Sequence, residues 1–373
     1  MKCSGVRGEK GKLLSDKSRI SRPYSVNKNT TFLASFGKRM DWLNLWFFLE
    51  EKDKGLRWIS GLIFVITDGL MSSPYEVLLF YKYTVLDDPD RFAVDHRLLC
   101  QRLGLRGRIV IAAEGLNGTV SGTRENCGKY REALDKNPIM AGIAWKIDPE
   151  EGHVFPKLSI KVRNEVVSLE LGEKDLNPID LTAPHLNPSE WREAMKEKNV
   201  VLLDARNDYE WEIGRFEGAI LPNVPSFKEL PKWIRDHRSE LEGKKILTYC
   251  TGGIRCEKFS GFLLNEGFDN VFQLDGGIVT YGKDEDVRGE GYEGECYVFD
   301  ERLSVPVNQT DGARVVSKCC SCAIPNIRYR NCAWKPCNAQ ILLCEECEKK
   351  KGRYCDCRCK EIDLISRSAV TGI

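Results

Sequence analysis

Ile246-Leu247-Thr248-Tyr249-Cys250-Thr251-Gly252-Gly253-Ile254-Arg255-Cys256 passes from an apolar run, through a pair of glycines, into a segment of helical spacing. A strand, a tight turn and a helix N-terminus in that order make a cradle for an anion. Backbone N–H groups of the turn point inward and the helix adds its positive end, so a thiolate on Cys250 is stabilised there. Its pKa is expected below the ~8.5 of a free thiol. Arg255 brings a fixed cation whose planar fork suits an oxyanion. Cys250 and Arg255 are therefore the candidate catalytic pair, and Thr251, Gly252, Gly253, Ile254 and Cys256 complete the loop. Only four residues separate Cys250 from Arg255, a narrow cradle that suits sulfur. The competing reading is a cysteine that merely packs at a strand end, but two glycines and an arginine at fixed offsets favour a nucleophile. Cys256, on the first turn of the helix, either resolves a persulfide on Cys250 or packs.

Around this loop the rhythm is α/β. Val200 to Asp204, Ile246 to Tyr249 and Val271 to Leu274 are apolar runs of strand length, separated by helical stretches at Phe227 to Leu241 and Ile254 to Asn265. Such runs describe a parallel sheet covered on both faces, over residues 188–285. Upstream, strands at Val77 to Val85, Arg108 to Ala113, Thr119 to Ser121, Ile143 to Ile147 and Leu158 to Val167 alternate with helices at Asp88 to Leu103 and Thr123 to Leu134. The order β-α-β-β-α-β is that of a ferredoxin-like, acylphosphatase-like sandwich over residues 75–171. Asn117-Gly118 is expected to turn its central hairpin. Along the last strand, Leu158, Ile160 and Val162 face the helices, which leaves Lys157, Lys161 and Arg163 on an open sheet face. Residues 172–187, with Pro178 and Pro184, read as a linker, and the chain after Gly294 as loop.

Of 16 Cys, ten lie between Cys319 and Cys359. Cys319, Cys320, Cys322, Cys332, Cys337, Cys344, Cys347, Cys355, Cys357 and Cys359 supply enough sulfur for two tetrahedral sites with two thiols over. Zinc is the expected metal; an iron–sulfur cluster uses the same atoms, and unligated thiols are the third reading. The fold class is thus α/β plus α+β, closed by a small Cys-rich metal-binding tail over 315–360 and a last segment over 361–373.

The 373 residues are 42% hydrophobic and 30% charged, with mean hydropathy −0.37, which excludes a disordered chain. No apolar run is long enough for a membrane span. A net charge of +1 conceals a division. Residues 1–70 carry 13 basic against 7 acidic side chains and residues 315–360 carry 10 against 4, which leaves the body strongly negative. A polyanion must therefore find local patches. Lys157, Lys161 and Arg163 are one, and Arg328, Arg330, Lys349, Lys350 and Lys351, interleaved with aromatics, are the other; a merely solvated face is the alternative. Residues 1–70, basic and rich in Ser/Thr, fit an organellar transit peptide or a dispensable leader ahead of Met71. The protein is otherwise expected to be cytoplasmic.

Leu203-Asp204-Ala205-Arg206, Glu210, Gly214 to Ala219, the Cys250 to Arg255 loop and Leu274-Asp275-Gly276-Gly277-Ile278 resemble the rhodanese family. That resemblance implies a persulfide-carrying Cys250, with Asp204, Arg206 and Glu210 holding the scaffold. The wider combination, Glu114-Gly115-Leu116-Asn117-Gly118-Thr119 with Cys-Thr-Gly-Gly-Ile-Arg-Cys-Glu-Lys and the Cys-rich tail, resembles the tRNA uridine(34) hydroxylase (TrhO) family over residues 75–360. It implies oxygen-dependent conversion of a wobble uridine to 5-hydroxyuridine, with molecular oxygen as co-substrate, a separate reductant and the tRNA anticodon region as partner. Two other readings stay open: a sulfurtransferase fed by thiosulfate or a sulfur-donor protein, and a non-enzymatic zinc-dependent RNA-binding protein.

Overall fold

Tyr75–Tyr83 (β1) opens the N-terminal sandwich in the computed structural model, which describes residues 73–172 and 176–370. The expectations for residues 1–70 lie outside the described residues. Asp88 then caps Pro89–Arg102 (α1) by accepting from the Arg91 N–H at 2.8 Å, and Pro89 fits the first turn, where its missing N–H costs nothing. Arg106–Ala112 (β2) and Gly115–Thr123 (β3) follow, then Arg124–Asp135 (α2), Lys146–Glu150 (β4) and Leu158–Val162 (β5). The sheet order is β4-β1-β3-β2-β5, with only the β2–β5 pair parallel. One face packs Leu78, Phe80, Ile109, Leu116, Val120 and Ile160 beneath the helices.

Two expectations for this sandwich are corrected. The hairpin turns at Ala113-Glu114, while Asn117 and Gly118 sit mid-strand opposite Val110 and Ile109. Gly118 is there for space, since a Cβ would stand 2.7 Å from the Phe80 ring. The second sheet face is also not open. At β1 it is covered by the Cys250 loop, while Lys161 on edge strand β5 and Lys157 and Arg163 flanking it, the three residues of the expected basic face, stay exposed.

The expected linker is built into the next domain. His185–Leu186 (β6) pairs with the sheet, Ala183 is buried, and its N–H donates to Ser260 Oγ at 2.9 Å. Pro188–Ala194 (α3), capped by a reciprocal Asn187/Glu190 box, precedes Val200–Asp204 (β7), Asp208–Trp211 (α4) and Gly214–Phe216 (β8). The single helix expected over Phe227 to Leu241 is a short 3₁₀ turn followed by Leu230–Asp236 (α5) and Arg238–Leu241 (α6), which part at His237. Lys245–Tyr249 (β9), Ile254–Asn265 (α7), Val271–Leu274 (β10) and Gly277–Lys283 (α8) complete a four-stranded parallel sheet, β6-β10-β9-β7.

After Gly294 the chain is not loop. Tyr292–Tyr297 (β11) pairs with β8 and with Ser304–Pro306 (β12). Tyr292 and Cys296 face the core with Glu293 and Glu295 between them, and the inward row is interrupted at Gly294, where the backbones approach closely: a Cβ there would stand 2.0 Å from Ile213 O. The tail is a hairpin of Tyr329–Asn331 (β13) and Gln340–Leu342 (β14), followed by Glu345–Lys351 (α9) and Cys357–Val370 (α10). No helix among the described residues is long and apolar enough to cross a membrane.

Candidate active site

Cys250 follows directly on β9, and its backbone is pinned from the far side. Its carbonyl accepts from Ile278 N and that of Thr251 from Val279 N, both at 3.0 Å, so the start of α8 holds the turn from behind. That contact requires Gly277, since a Cβ there would lie 2.6 Å from Cys250 O. Gly253 adopts φ +98° and donates its N–H to Cys250 Sγ at 3.2 Å. Burial pushes the Cys250 thiol up, but the Cys256 thiol, the Arg255 guanidinium and the N–H groups of Cys256 and Gly253 outweigh it and bring the pKa to about 6. Cys256 itself is pushed well above the thiol range by burial and by the thiolate it faces. It sits against Cys250 as a hydrogen-bond donor.

Arg255 is committed to a buried partner. Its two terminal nitrogens reach Glu210 Oε1 at 2.6 Å and Oε2 at 2.8 Å, and Nη2 also reaches Thr251 Oγ1 at 3.3 Å. Glu210 is fully buried; desolvation raises its pKa, and the Arg255 charge pulls it below the usual carboxylate range. Next to it Arg206 clasps Asp204 through Nε (2.9 Å) and Nη2 (2.7 Å) and donates to Gly214 O at 2.7 Å. These ion pairs stake the loop to β7, α4 and β8.

The other wall of the site comes from the N-terminal sheet, which sequence spacing does not reveal. Leu79 Cδ2 lies 3.0 Å from where a Cβ of Gly252 would stand, and Tyr81 Oη 3.0 Å from that of Gly253. Tyr81 donates to Glu257 Oε1 at 2.8 Å, and Tyr83 to Ile254 O at 3.3 Å. His185 Nε2 shares Glu257 Oε1 at 3.0 Å, and this bond leads the rise in its pKa. Lys258, with no exposed surface, clamps Glu114 at 2.9 Å and Glu165 at 2.8 Å. The acidic and basic residues that end the loop motif, Glu257 and Lys258, thus dock one domain on the other. Lys146, buried on β4, stands over the Tyr81 ring at 5.0 Å. Cys296 on β11 is a third buried thiol behind Thr251, pushed up to about 12 by burial. Under this wall Cys250 has no exposed surface.

Three family descriptions match successive parts of the chain: the UPF0176 acylphosphatase like domain over residues 75–166, the rhodanese-like domain over 187–284 and the rhodanase C-terminal region over 293–360. The chain is 54% identical over 290 residues to a tRNA uridine(34) hydroxylase of Shouchella clausii, covering 78% of this chain and 90% of that relative. The chain belongs to the tRNA uridine(34) hydroxylase family. A relative of the same name from Bacillus pumilus is 53% identical over 296 residues, covering 79% of this chain and 91% of its own length.

In this family member the tail cysteines gather into two sets. Cys319, Cys322, Cys344 and Cys347 form one, and Cys332, Cys337, Cys355 and Cys359 the other, each with all sulfurs within 4.8 Å of one another. A tetrahedral ion with bonds of ~2.3 Å to sulfur requires sulfurs about 3.8 Å apart. Cys322 and Cys344 lie at 3.8 Å and Cys337 and Cys355 at 3.7 Å, so both sets fit a metal. Eight of the ten tail thiols are gathered in these two sets. Cys320 and Cys357, both exposed, belong to neither set.

The basic candidates divide as well. Arg328 and Arg330 converge on Glu348, Arg330 at 3.3 Å, and so are tied within the tail. Lys349, Lys350 and Lys351 stand exposed along α9. Lys349 and Lys350 pair with Glu345 and Glu346 at helical spacing, and Lys351 Nζ reaches Ser321 Oγ at 2.7 Å. Surface pairs of this kind hold a side chain weakly, and phosphates can replace them.

Proposed function

We propose that this protein hydroxylates the wobble uridine of tRNA at C5, with Cys250 as the nucleophile and molecular oxygen as the oxidant. The observation that carries the reading is a wholly buried thiol held at about 6 inside a loop whose chain matches nine-tenths of the length of hydroxylases of that name. At neutral pH such a group is mostly thiolate, and a thiolate adds to C6 of a pyrimidine. Addition makes C5 electron-rich and ready to take an oxygen atom. Loss of the C5 proton and of sulfur then restores the ring. The second oxygen atom leaves as water, which calls for two electrons and two protons from a separate reductant.

Because Cys250 lies under the N-terminal sheet, a uridine reaches it only out of the base stack and with Leu79 and Tyr81 drawn off the loop. The two tail sets would hold zinc. Four sulfurs per ion leave no open position, so one metal would brace the segment ahead of the hairpin against α9 and the other the β13–β14 loop against α10. That segment presents Lys349, Lys350 and Lys351 to the anticodon arm, and the β5 edge presents Lys157, Lys161 and Arg163. Nucleoside mass spectrometry of tRNA from a strain lacking this chain, complemented with the unsubstituted or Cys250→Ser protein, tests the proposal. Restoration of 5-hydroxyuridine by the former alone supports it, and restoration by both refutes the role of Cys250.

A further inference from the structure

We propose that Lys146, contributed by the N-terminal sheet, is a catalytic residue of this site: its ammonium group receives the charge displaced onto pyrimidine O4 when Cys250 adds to C6. The inference rests on the wobble-uridine reading and extends it to a residue outside the loop.

The loop's own cation is already engaged. Both ends of the Arg255 fork are spent on Glu210, a fully buried carboxylate, so the pair is close to neutral as seen from the substrate side. Lys146 is differently placed. It lies directly opposite Leu79 in the β1–β4 register, and directly opposed residues send their side chains to the same face. That face is the wall over Gly252 and Gly253, because Leu79 and Tyr81 abut those glycines. Lys146 is only 8% exposed, and among the described residues no hydrogen bond or ion pair engages its Nζ, which is not among the fully buried polar atoms. Its close contact is the Tyr81 ring at 5.0 Å.

The side chain is largely buried while its Nζ keeps a little solvent access and takes no protein acceptor, a placement that leaves the charge available to a ligand entering the site. The charged groups that face it are Cys250, Asp275 and Glu257, which favour its protonated form, and Lys283, which opposes it; burial is the larger influence and lowers its pKa.

The step balances without an external partner. The Cys250 sulfur forms a bond to C6, the C5–C6 π pair moves into C4–C5, and the C4 carbonyl pair moves to O4. Lys146 donates a hydrogen bond to that oxygen. Nothing leaves and no electrons are exchanged with another molecule. Because uracil is neutral before addition and its enolate is anionic, Lys146 binds the transition state more strongly than the substrate, which is what accelerates a step.

The test uses the full chain and an anticodon stem-loop carrying 5-fluorouridine at the wobble position, under anaerobic conditions, with the covalent adduct followed by denaturing gel and intact mass. The unsubstituted protein is expected to form an adduct that Cys250→Ser abolishes. Lys146→Met should slow adduct formation by about 100-fold, the usual cost of removing one oxyanion donor, while leaving stem-loop affinity unchanged. Lys146→Arg, which keeps the charge, should recover part of the rate and guards against misfolding of the Met variant. Adduct formation by Lys146→Met at the unsubstituted rate overturns the proposal, as does a parallel loss of stem-loop affinity. Hydroxylation of tRNA by the unsubstituted protein without any 5-fluorouridine adduct would overturn the role of Lys146 and leave the hydroxylase reading standing. Absence of both activities overturns both.

Discussion

Replacing Arg255 by Met and replacing Glu210 by Gln should move the titration of Cys250 in opposite directions. The thiol titrates at about 6 because the Cys256 thiol, the Arg255 guanidinium and two N–H groups outweigh its desolvation. At pH 7 a group of that value is roughly nine-tenths thiolate. An opposite charge within ~4–6 Å moves a pKa by about 1 to 3, so without Arg255 the midpoint rises toward ~8 and the thiolate at pH 7 falls about tenfold. Glu210→Gln removes the anion that neutralises Arg255, so the guanidinium acts on the sulfur undiminished and the midpoint falls below that of the unsubstituted protein. Each change leaves a buried charge without its partner, at about 3–5 kcal/mol of stability, so the measurement is made well below the melting temperature.

Iodoacetamide alkylation of Cys250, read by peptide mass spectrometry against pH, gives the midpoint. The Leu79 and Tyr81 wall scales the rate equally at every pH and leaves that midpoint in place. A depressed folded-state value has a definite linkage sign. The unfolded thiol titrates near ~8.5, so the thiolate's contribution to stability is complete above that pH and is lost as pH falls through about 6. An unsubstituted midpoint near that of a free thiol, or a shift of the same sign in both variants, would refute the electrostatic account of this loop.

Lys258→Met should destabilise the protein by about 3–5 kcal/mol, because Glu114 and Glu165 lose the cation between them, and a melting temperature that stays in place would contradict the clamp. Elemental analysis of protein purified without chelator should find two zinc ions per chain, with Cys319→Ser losing one and Cys332→Ser the other; a count of zero, or loss of both from either change, would sink the two-site reading. Reversing Lys349, Lys350 and Lys351 to Glu should weaken tRNA binding and flatten its salt dependence, by about one in slope for each phosphate no longer neutralised, with Cys250 alkylation unaltered. A salt slope identical to the unsubstituted protein would remove α9 from the RNA surface.

Much of this was legible in the chain alone, where chemistry and spacing are local. A strand, two glycines and a helix start place the N–H groups around Cys250 whatever surrounds them, and the paired cysteines of the tail are close in sequence. The parallel sheet was legible for the same reason, since a strand covered on both faces must be apolar along its length. The sequence misled where a residue answers to a distant neighbour. Asn117-Gly118 carries the local signal of a turn, yet Gly118 is a strand residue because Phe80 needs its space. Likewise the short alternation of β11, Tyr292 and Cys296 against Glu293 and Glu295, is interrupted by Gly294, which is there because Ile213 comes too close for a side chain. The commitment of Arg255 to Glu210, the docking of Glu257 and Lys258 on the N-terminal sheet, and the wall of Leu79, Tyr81 and Lys146 over the thiol were decided only by tertiary structure. Those contacts join residues scores of positions apart, and no periodicity of 2 or 3.6 records which surface a face will meet.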